Sequence, residues 1–348
     1  MRKFITAFLA VSMLLLAGCG SKGISHGDVK TNSSADTKVF EYGSSYITSG
    51  LYGYIFSEEK TDYLYVSSEY AEYLSGSPVA DTVSFWNKTA SNGKTFAKLL
   101  TDNINDYCKE LVTVKELASK NNVKVTNKED LTKIDTIVED LINDHGSEND
   151  LDLFLYKFGI KTSDLRNYYN DVFLIEALKD FYYGENGSRK IPDNEITGYF
   201  FDNYVKFTHI FIKFGVTPGE TTEETRERAK TLFEDIKSGK EIFEDHLDDS
   251  YDKHDPVVLG KGEAYEEFEK AVFDAGTGEY IISEFDKGVY IVRKEELAES
   301  DISDSYQKIE SALIDEAFGS YLKEFYDQII INSTELSKYD IATADTFD

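Results

Sequence analysis

His209 is the residue best placed for chemistry in this chain. It stands in the run Val205-Lys206-Phe207-Thr208-His209-Ile210-Phe211-Ile212, where β-branched and aromatic residues alternate with Lys206 and Thr208. That alternation is a strand signature. An imidazole on a strand serves as a proton donor or acceptor, or as an inert, hydrogen-bonded core residue; the bare sequence favours the inert role. The segment from Asp245 to Asp255 is dense in carboxylates and imidazoles. It lacks the spacing and central glycine of a calcium loop, and it has no cysteine or His-x-x-x-His pair for zinc, so it reads as a solvated acidic loop. Gly260-Lys261-Gly262 is not a phosphate loop, because no Gly-Lys-Ser/Thr on a strand–helix frame follows. No Ser/His/Asp set is suggested by order or context. No metal or cofactor is expected.

The chain has 2 cysteines. Cys108 lies in a helical apolar stripe and reads as a buried structural thiol; the other reading pairs it with Cys19. Cys19 has a distinctive context. Arg2 and Lys3 open the sequence, Phe4 to Leu16 is almost unbroken apolar, and Leu16-Ala17-Gly18 precedes the thiol. A positive start, a short apolar core and small residues at a cut site make a secretory signal. The run is shorter than the ~20 residues of a transmembrane helix. Leu-Ala-Gly-Cys resembles a lipobox, which implies cleavage before Cys19 and lipidation of its sulfur. The alternative is an ordinary secretory signal with a chance cysteine. Two acyl chains would hold the protein to a membrane, each buried CH₂ contributing about 0.8 kcal/mol. Ser21 to Asp36 is polar and small, as in a flexible tether.

The elements that must position these residues follow from periodicity. Phe96, Leu100, Ile104, Tyr107, Leu111, Val114 and Leu117 mark an amphipathic helix ended by Asn121-Asn122. Thr126 and Glu129 form a capping box for a helix carrying Leu131, Ile134, Val138, Leu141 and Ile142, closed by Gly146. A short helix spans Leu151 to Phe158, a longer one runs from Ser163 to Tyr183, and Pro192 introduces another. Ahead of all these, Val39 to Ser57 reads as extended, with turn glycines at 43, 50 and 53. From Val205 the pattern changes to strand, helix over 222–238, helix over 266–273, and a strand from Gly288 to Arg293. Ile302, Tyr306, Ile309, Leu313, Ala317, Tyr321, Phe325 and Ile329 then form a long apolar stripe. Such a stripe must be buried, and the helices before residue 203 are its expected partner.

The expected fold class is therefore α+β. A leader (1–18) and tether (19–37) precede a helical domain of residues 38–203 completed by 297–335. A β-α-α-β unit with a small antiparallel sheet is inserted at 204–296, and an acidic tail (336–348) is loose. The net charge of −28 excludes nucleic acid as a partner, since phosphates would repel it, and keeps the chain off an anionic bilayer apart from an anchor. It could attract basic unfolded chains, although solubility through self-repulsion is the simpler role. The 24 tyrosines and 23 phenylalanines mostly serve the core; some could cradle unfolded chains.

These segments resemble the PrsA/SurA group of extracytoplasmic foldases, which carry a parvulin-type peptidyl-prolyl isomerase domain. The strand around His209-Ile210 is similar to that domain's first strand with its His-Ile-Leu. Glu267-Phe268-Glu269-Lys270-Ala271-Val272-Phe273 resembles the Glu-Phe-Glu-x-Ala-x-Phe helix, with Gly278-Glu279 following at the usual distance. Gly288-Val289-Tyr290-Ile291-Val292 stands where the group has Gly-Tyr-His-Ile-Ile. The helix over 95–120 with Asn122-Val123-Lys124-Val125-Thr126 resembles the chaperone module. By this resemblance His209, Asp252 and Tyr290 hold the catalytic positions, and Phe268, Ala264 and Leu259 those that contact substrate.

The match is degenerate. Tyr290 replaces the second histidine, Ala264 replaces a pocket methionine, and Pro256 takes the place of a pocket leucine. Each lost methylene removes about 0.8 kcal/mol of contact. The tyrosine could donate to His209 but cannot act as a ring-nitrogen partner. The resemblance thus implies a membrane-anchored folding factor on the outer face of a bacterial cytoplasmic membrane, binding unfolded or proline-containing exported polypeptides, with isomerase activity weak or lost. A fully active isomerase is one alternative. A solute-binding lipoprotein is another, and would need two lobes of repeated βαβ units.

Overall fold

The computed structural model describes residues 35–347 except 76, 78, 253 and 254. The leader, Cys19 and His254 lie outside the described residues. The chain divides into two compact units, one running to Lys190 and resuming at Glu316, the other Ile191–Asp315. No helix among the described residues is long and apolar enough to cross a membrane.

In the helical unit, β1 (Lys38–Tyr42) and β2 (Ser45–Thr48) form a hairpin turning at Gly43, whose φ is +58°. The Glu116 carboxylate closes on that turn, accepting from the Ser44 N–H at 2.9 Å and the Ser44 hydroxyl at 3.0 Å. Any Cβ at position 43 would collide with it. Helix α1 (Ser49–Ser75) follows at once. The extended reading of Val39–Ser57 therefore holds only to Thr48, and Gly50 and Gly53 are helical. Every residue from Tyr52 to Ser57 is buried, so this helix has no polar face there and no 3.6-residue stripe to betray it.

Next come α2 (Val83–Trp86), α3 (Phe96–Asn121), α4 (Lys128–His145), α5 (Glu148–Leu155) with a 3₁₀ turn to Phe158, and α6 (Thr162–Tyr183). Helices α3 and α4 pack on α6. Asn122 ends α3 in the left-handed region at φ 54°, a conformation asparagine tolerates. The cap of α4 lies one residue later than the capping box predicts: Asn127 accepts from the Glu129 N–H at 2.9 Å. Asparagine is at least as good an N-cap as threonine. Cys108 is fully buried and free, as expected of a structural thiol.

In the sheet unit, α7 (Asp193–Asn203) runs directly into β3 (Tyr204–Lys213). Then follow α8 (Thr222–Lys237), a 3₁₀ turn (Phe243–Asp249), β4 (Val257–Gly260), α9 (Glu266–Asp274), β5 (Tyr280–Phe285) and β6 (Gly288–Glu295). The strands form an antiparallel sheet in the order β4-β3-β6-β5. The expected β-α-α-β is thus β-α-β-α-β-β. The two strands missing from the sequence reading are the short edge strands. Side chains alternate between the faces. Ile210, Ile212, Val289 and Ile291 meet Ala229, Phe233 and Ile236 of α8 on one face. Val205, Phe207 and Val292 meet Phe268 and Val272 of α9 on the other.

Helix α10 (Tyr306–Lys323) spans the division at 315/316. Within the sheet unit the Tyr306 hydroxyl donates to Asp193 at 2.8 Å and Lys308 pairs with Glu263. The joints accordingly fall at 190/191 and 315/316, not at 203/204 and 296/297. Within the helical unit, Phe318 and Leu322 are buried and Tyr321 meets Tyr182 edge-on at 5.1 Å. The apolar stripe is shorter than predicted, because the helix stops at Lys323. Beyond it β7 (Ile330–Ile331) pairs with β1, and α11 (Ser333–Leu336) follows.

The stretch after α11 is not loose. Ile341 is buried, Tyr339 packs edge-on against Tyr52 at 4.8 Å, and Phe347 lies among three other rings. The acidic composition concealed three apolar anchors. Both sheets are antiparallel, unlike the parallel βαβ lobes of a solute-binding protein.

Candidate functional site

Strand β3 carries Phe207, His209 and Phe211 on one face. Its pairing with β6 sets His209 opposite Val292 and Phe211 opposite Tyr290. The Tyr290 ring stacks on Phe211 with centroids 4.3 Å apart and lies 5.3 Å from the His209 ring. The segment after the 3₁₀ turn returns along β3. The Tyr251 N–H donates to the Phe211 carbonyl at 2.8 Å, and the Phe211 N–H donates to the Ser250 hydroxyl oxygen at 2.9 Å.

This backbone clasp holds Asp252 in reach. Its Oδ1 accepts from His209 Nε2 at 3.0 Å and from the Ser250 hydroxyl at 2.9 Å. Its Oδ2 accepts from the Tyr290 hydroxyl at 3.4 Å. All three residues named by the sequence therefore meet at one carboxylate. The tyrosine donates to Asp252 and not, as its chemistry also allowed, to His209. Burial raises the Tyr290 hydroxyl pKa, and the Asp252 charge adds to the effect.

His209 is only 6% exposed, and its Nδ1 is buried with no hydrogen-bond partner among the described residues. A buried unsatisfied polar atom costs about 1–3 kcal/mol.

Beside the imidazole lies a nest of aromatic rings. Phe268 of α9 meets Phe207 at 5.7 Å, Phe285 at 5.5 Å and Tyr290 at 6.2 Å. Leu259 is buried in the same cluster, and Ala264 packs against it partly exposed. Pro256 is exposed. Phe207 and Phe211 were legible as neighbours of His209 by strand alternation; Phe285 was missed with its strand, and nothing in the sequence marks Ser250. A separate cavity of about 240 Å³, lined in part by Tyr204, Lys206, Phe273 and Lys294, includes none of the predicted residues.

The helical unit has a polar centre that the sequence reading missed. Glu58 of α1 accepts from Tyr54 and Tyr169 at 3.1 Å each and from Tyr168 at 3.4 Å. The Tyr168 hydroxyl lies 3.2 Å from that of Tyr107 on α3. Burial pushes the Glu58 carboxyl up to about 7, with the Asp62 charge adding and the tyrosines opposing. Burial likewise raises Glu59 to about 8 and Asp62 to about 6. Lys60, on the same helix, is fully buried; its ammonium pairs with Asp81 at 2.9 Å and donates to the Ala344 carbonyl at 2.7 Å.

No known family profile matches the chain, and no curated protein does. Solved structures do. PrsA peptidylprolyl isomerase from Bacillus cereus is 20% identical, with 72% of this chain and 94% of that one covered at a TM-score of 0.32. The PrsA foldase from Lactococcus lactis is 14% identical, with 87% and 98% covered at a TM-score of 0.30. A SurA-like chaperone from Campylobacter jejuni is 10% identical, with 84% and 98% covered at 0.21. Solved structures to which this chain is similar thus include PrsA foldases and a SurA-like chaperone.

Proposed function

We propose that this protein is an extracytoplasmic folding factor. Acyl chains on Cys19 hold it to the outer face of a bacterial cytoplasmic membrane, and it binds unfolded exported polypeptides. Its sheet unit is a parvulin-like module in which prolyl isomerisation is weak or lost. One observation carries the reading: His209, Asp252 and Tyr290 converge beside Phe268 on one face of a small antiparallel sheet.

Prolyl isomerisation needs no nucleophile. The barrier of ~18–20 kcal/mol comes from amide resonance, and uncatalysed X-Pro exchange takes tens to hundreds of seconds. A catalyst grips the proline ring and binds the twisted amide more tightly than the planar one. Here the grip is reduced, with alanine at 264 and an exposed proline at 256. Tyr290 is engaged with the Asp252 carboxylate. An aromatic surface suited to holding apolar side chains remains.

The test pairs two assays. The protein should suppress aggregation of an unfolded substrate, and it should accelerate proline-limited refolding slightly or not at all, with His209→Ala making little difference. The His209–Asp252 bond favours the rival reading of an active isomerase. A rate near that of an intact parvulin, abolished by His209→Ala, would establish that rival instead.

A further inference from the structure

We propose that Ile341–Phe347 is a built-in peptide ligand. It forms a strap lying in a groove of the helical unit that, when vacated, takes a segment of an unfolded chain bearing an aromatic residue two positions after an acidic one. This deepens the folding-factor reading and rests on it.

The strap is held as a peptide is held. The Phe347 ring sits 5.3 Å from Tyr54, 5.3 Å from Phe154 and 6.0 Å from Phe158. Those rings come from α1, α5 and the 3₁₀ turn after it, so the box belongs to the helices and not to the strap. Two contacts are made to main chain: Lys60 donates to the Ala344 carbonyl, and the Phe347 N–H donates to the Thr61 hydroxyl oxygen at 2.8 Å. Main-chain contacts are indifferent to sequence, as a receptor for varied clients requires. Charge adds a preference. The Lys157 ammonium lies 5.7 Å from the Phe347 ring centre and 3.8 Å from an Asp345 carboxylate oxygen.

Two further features make the strap exchangeable. Ile341 is buried, but Thr343 and Asp345 are exposed and Ala344 and Phe347 are half-buried, so beyond Ile341 the segment lies along a surface. Lys60 is 1% exposed and keeps Asp81 as its ion-pair partner, so loss of the Ala344 carbonyl leaves one ammonium N–H without its acceptor. An incoming chain would supply a carbonyl in place of that of Ala344. Release of the strap thus favours capture of another backbone.

The experiment uses the full chain and a fluorescent peptide with the sequence of residues 340–347. Phe347→Ala should loosen the strap, so the variant should bind the peptide at least tenfold more tightly than the wild type. A peptide with alanine in place of its phenylalanine should not bind. A chain ending at Tyr339 should bind more tightly still. Absence of peptide binding by both variants overturns the proposal. So does loss of a cooperative melt in Phe347→Ala, which would make the segment core. Aggregation suppression is measured separately. Peptide binding without suppression would refute the folding-factor reading and leave the groove standing, whereas suppression without peptide binding would refute the strap alone.

Discussion

Each unit holds a polar centre among aromatic rings, and the two are finished differently. In the helical unit the Glu58 carboxylate accepts from three tyrosine hydroxyls supplied by two helices. In the sheet unit His209 has, among the described residues, one partner, Asp252, and one unpartnered nitrogen. A saturated network locks helices into a single arrangement. An unsaturated one leaves a buried polar atom whose bonding capacity is unused. The contrast separates a fully bonded centre from one with unused bonding capacity.

The largest expected effect tests the first half of that contrast. Lys60→Ala removes an ammonium and its apolar stem from a buried site. It should destabilise the helical unit by about 3 kcal/mol, the lower end for a broken buried pair, because Asp81 is half-exposed and can rehydrate. Chemical denaturation read by tyrosine and tryptophan fluorescence would check it; a loss below about 1 kcal/mol would mean that Lys60 only decorates the strap.

Next is pH. Burial raises the carboxyls of Asp62, Glu58 and Glu59 to about 6, 7 and 8, above their unfolded values. The folded unit therefore holds protons that the unfolded chain has released. Stability is fully present below about pH 4.5 and is lost as pH rises through 6 to 8. The three groups share one helix face and titrate together. A loss on the order of 3 kcal/mol between pH 5 and 8 is expected, and Glu59→Gln should flatten the slope. Amide exchange in α1 and α6 at the two pH values reads it; a profile rising with pH would contradict the buried acid.

The smallest effect sharpens the second half. His209→Leu deletes an imidazole whose second nitrogen makes no bond among the described residues, and Asp252, exposed at its edge, regains water. Stability should change by less than about 1 kcal/mol in either direction. A loss of several kcal/mol in thermal unfolding would make His209 a structural residue and erase the difference between the two centres.

Much of this architecture was legible in the residues themselves. The helices α3 to α8 announce themselves by spacing and by end signals such as Pro192 ahead of α7 and Gly146 after α4. The strand around His209 shows its alternation, and Asp252, Tyr290 and Phe268 could be named as its companions from motif order. Elements escaped where burial erased periodicity or where length was short. Helix α1 is apolar or buried all round near Tyr52–Ser57. β4 and β7 have 4 and 2 residues, too few for a pattern. Ile341 and Phe347 are anchors only because a groove exists to receive them.

By itself, then, the sequence determined periodicity and caps, because these depend on neighbours within a few positions, and it named the companions of one imidazole only through a family resemblance. Only the tertiary structure decided that Tyr290 bonds Asp252, that three tyrosines from two helices enclose Glu58, and that Phe347 lies beside Tyr54. Those contacts join residues far apart along the chain. Their geometry is set by how whole helices and strands pack, which local spacing does not encode.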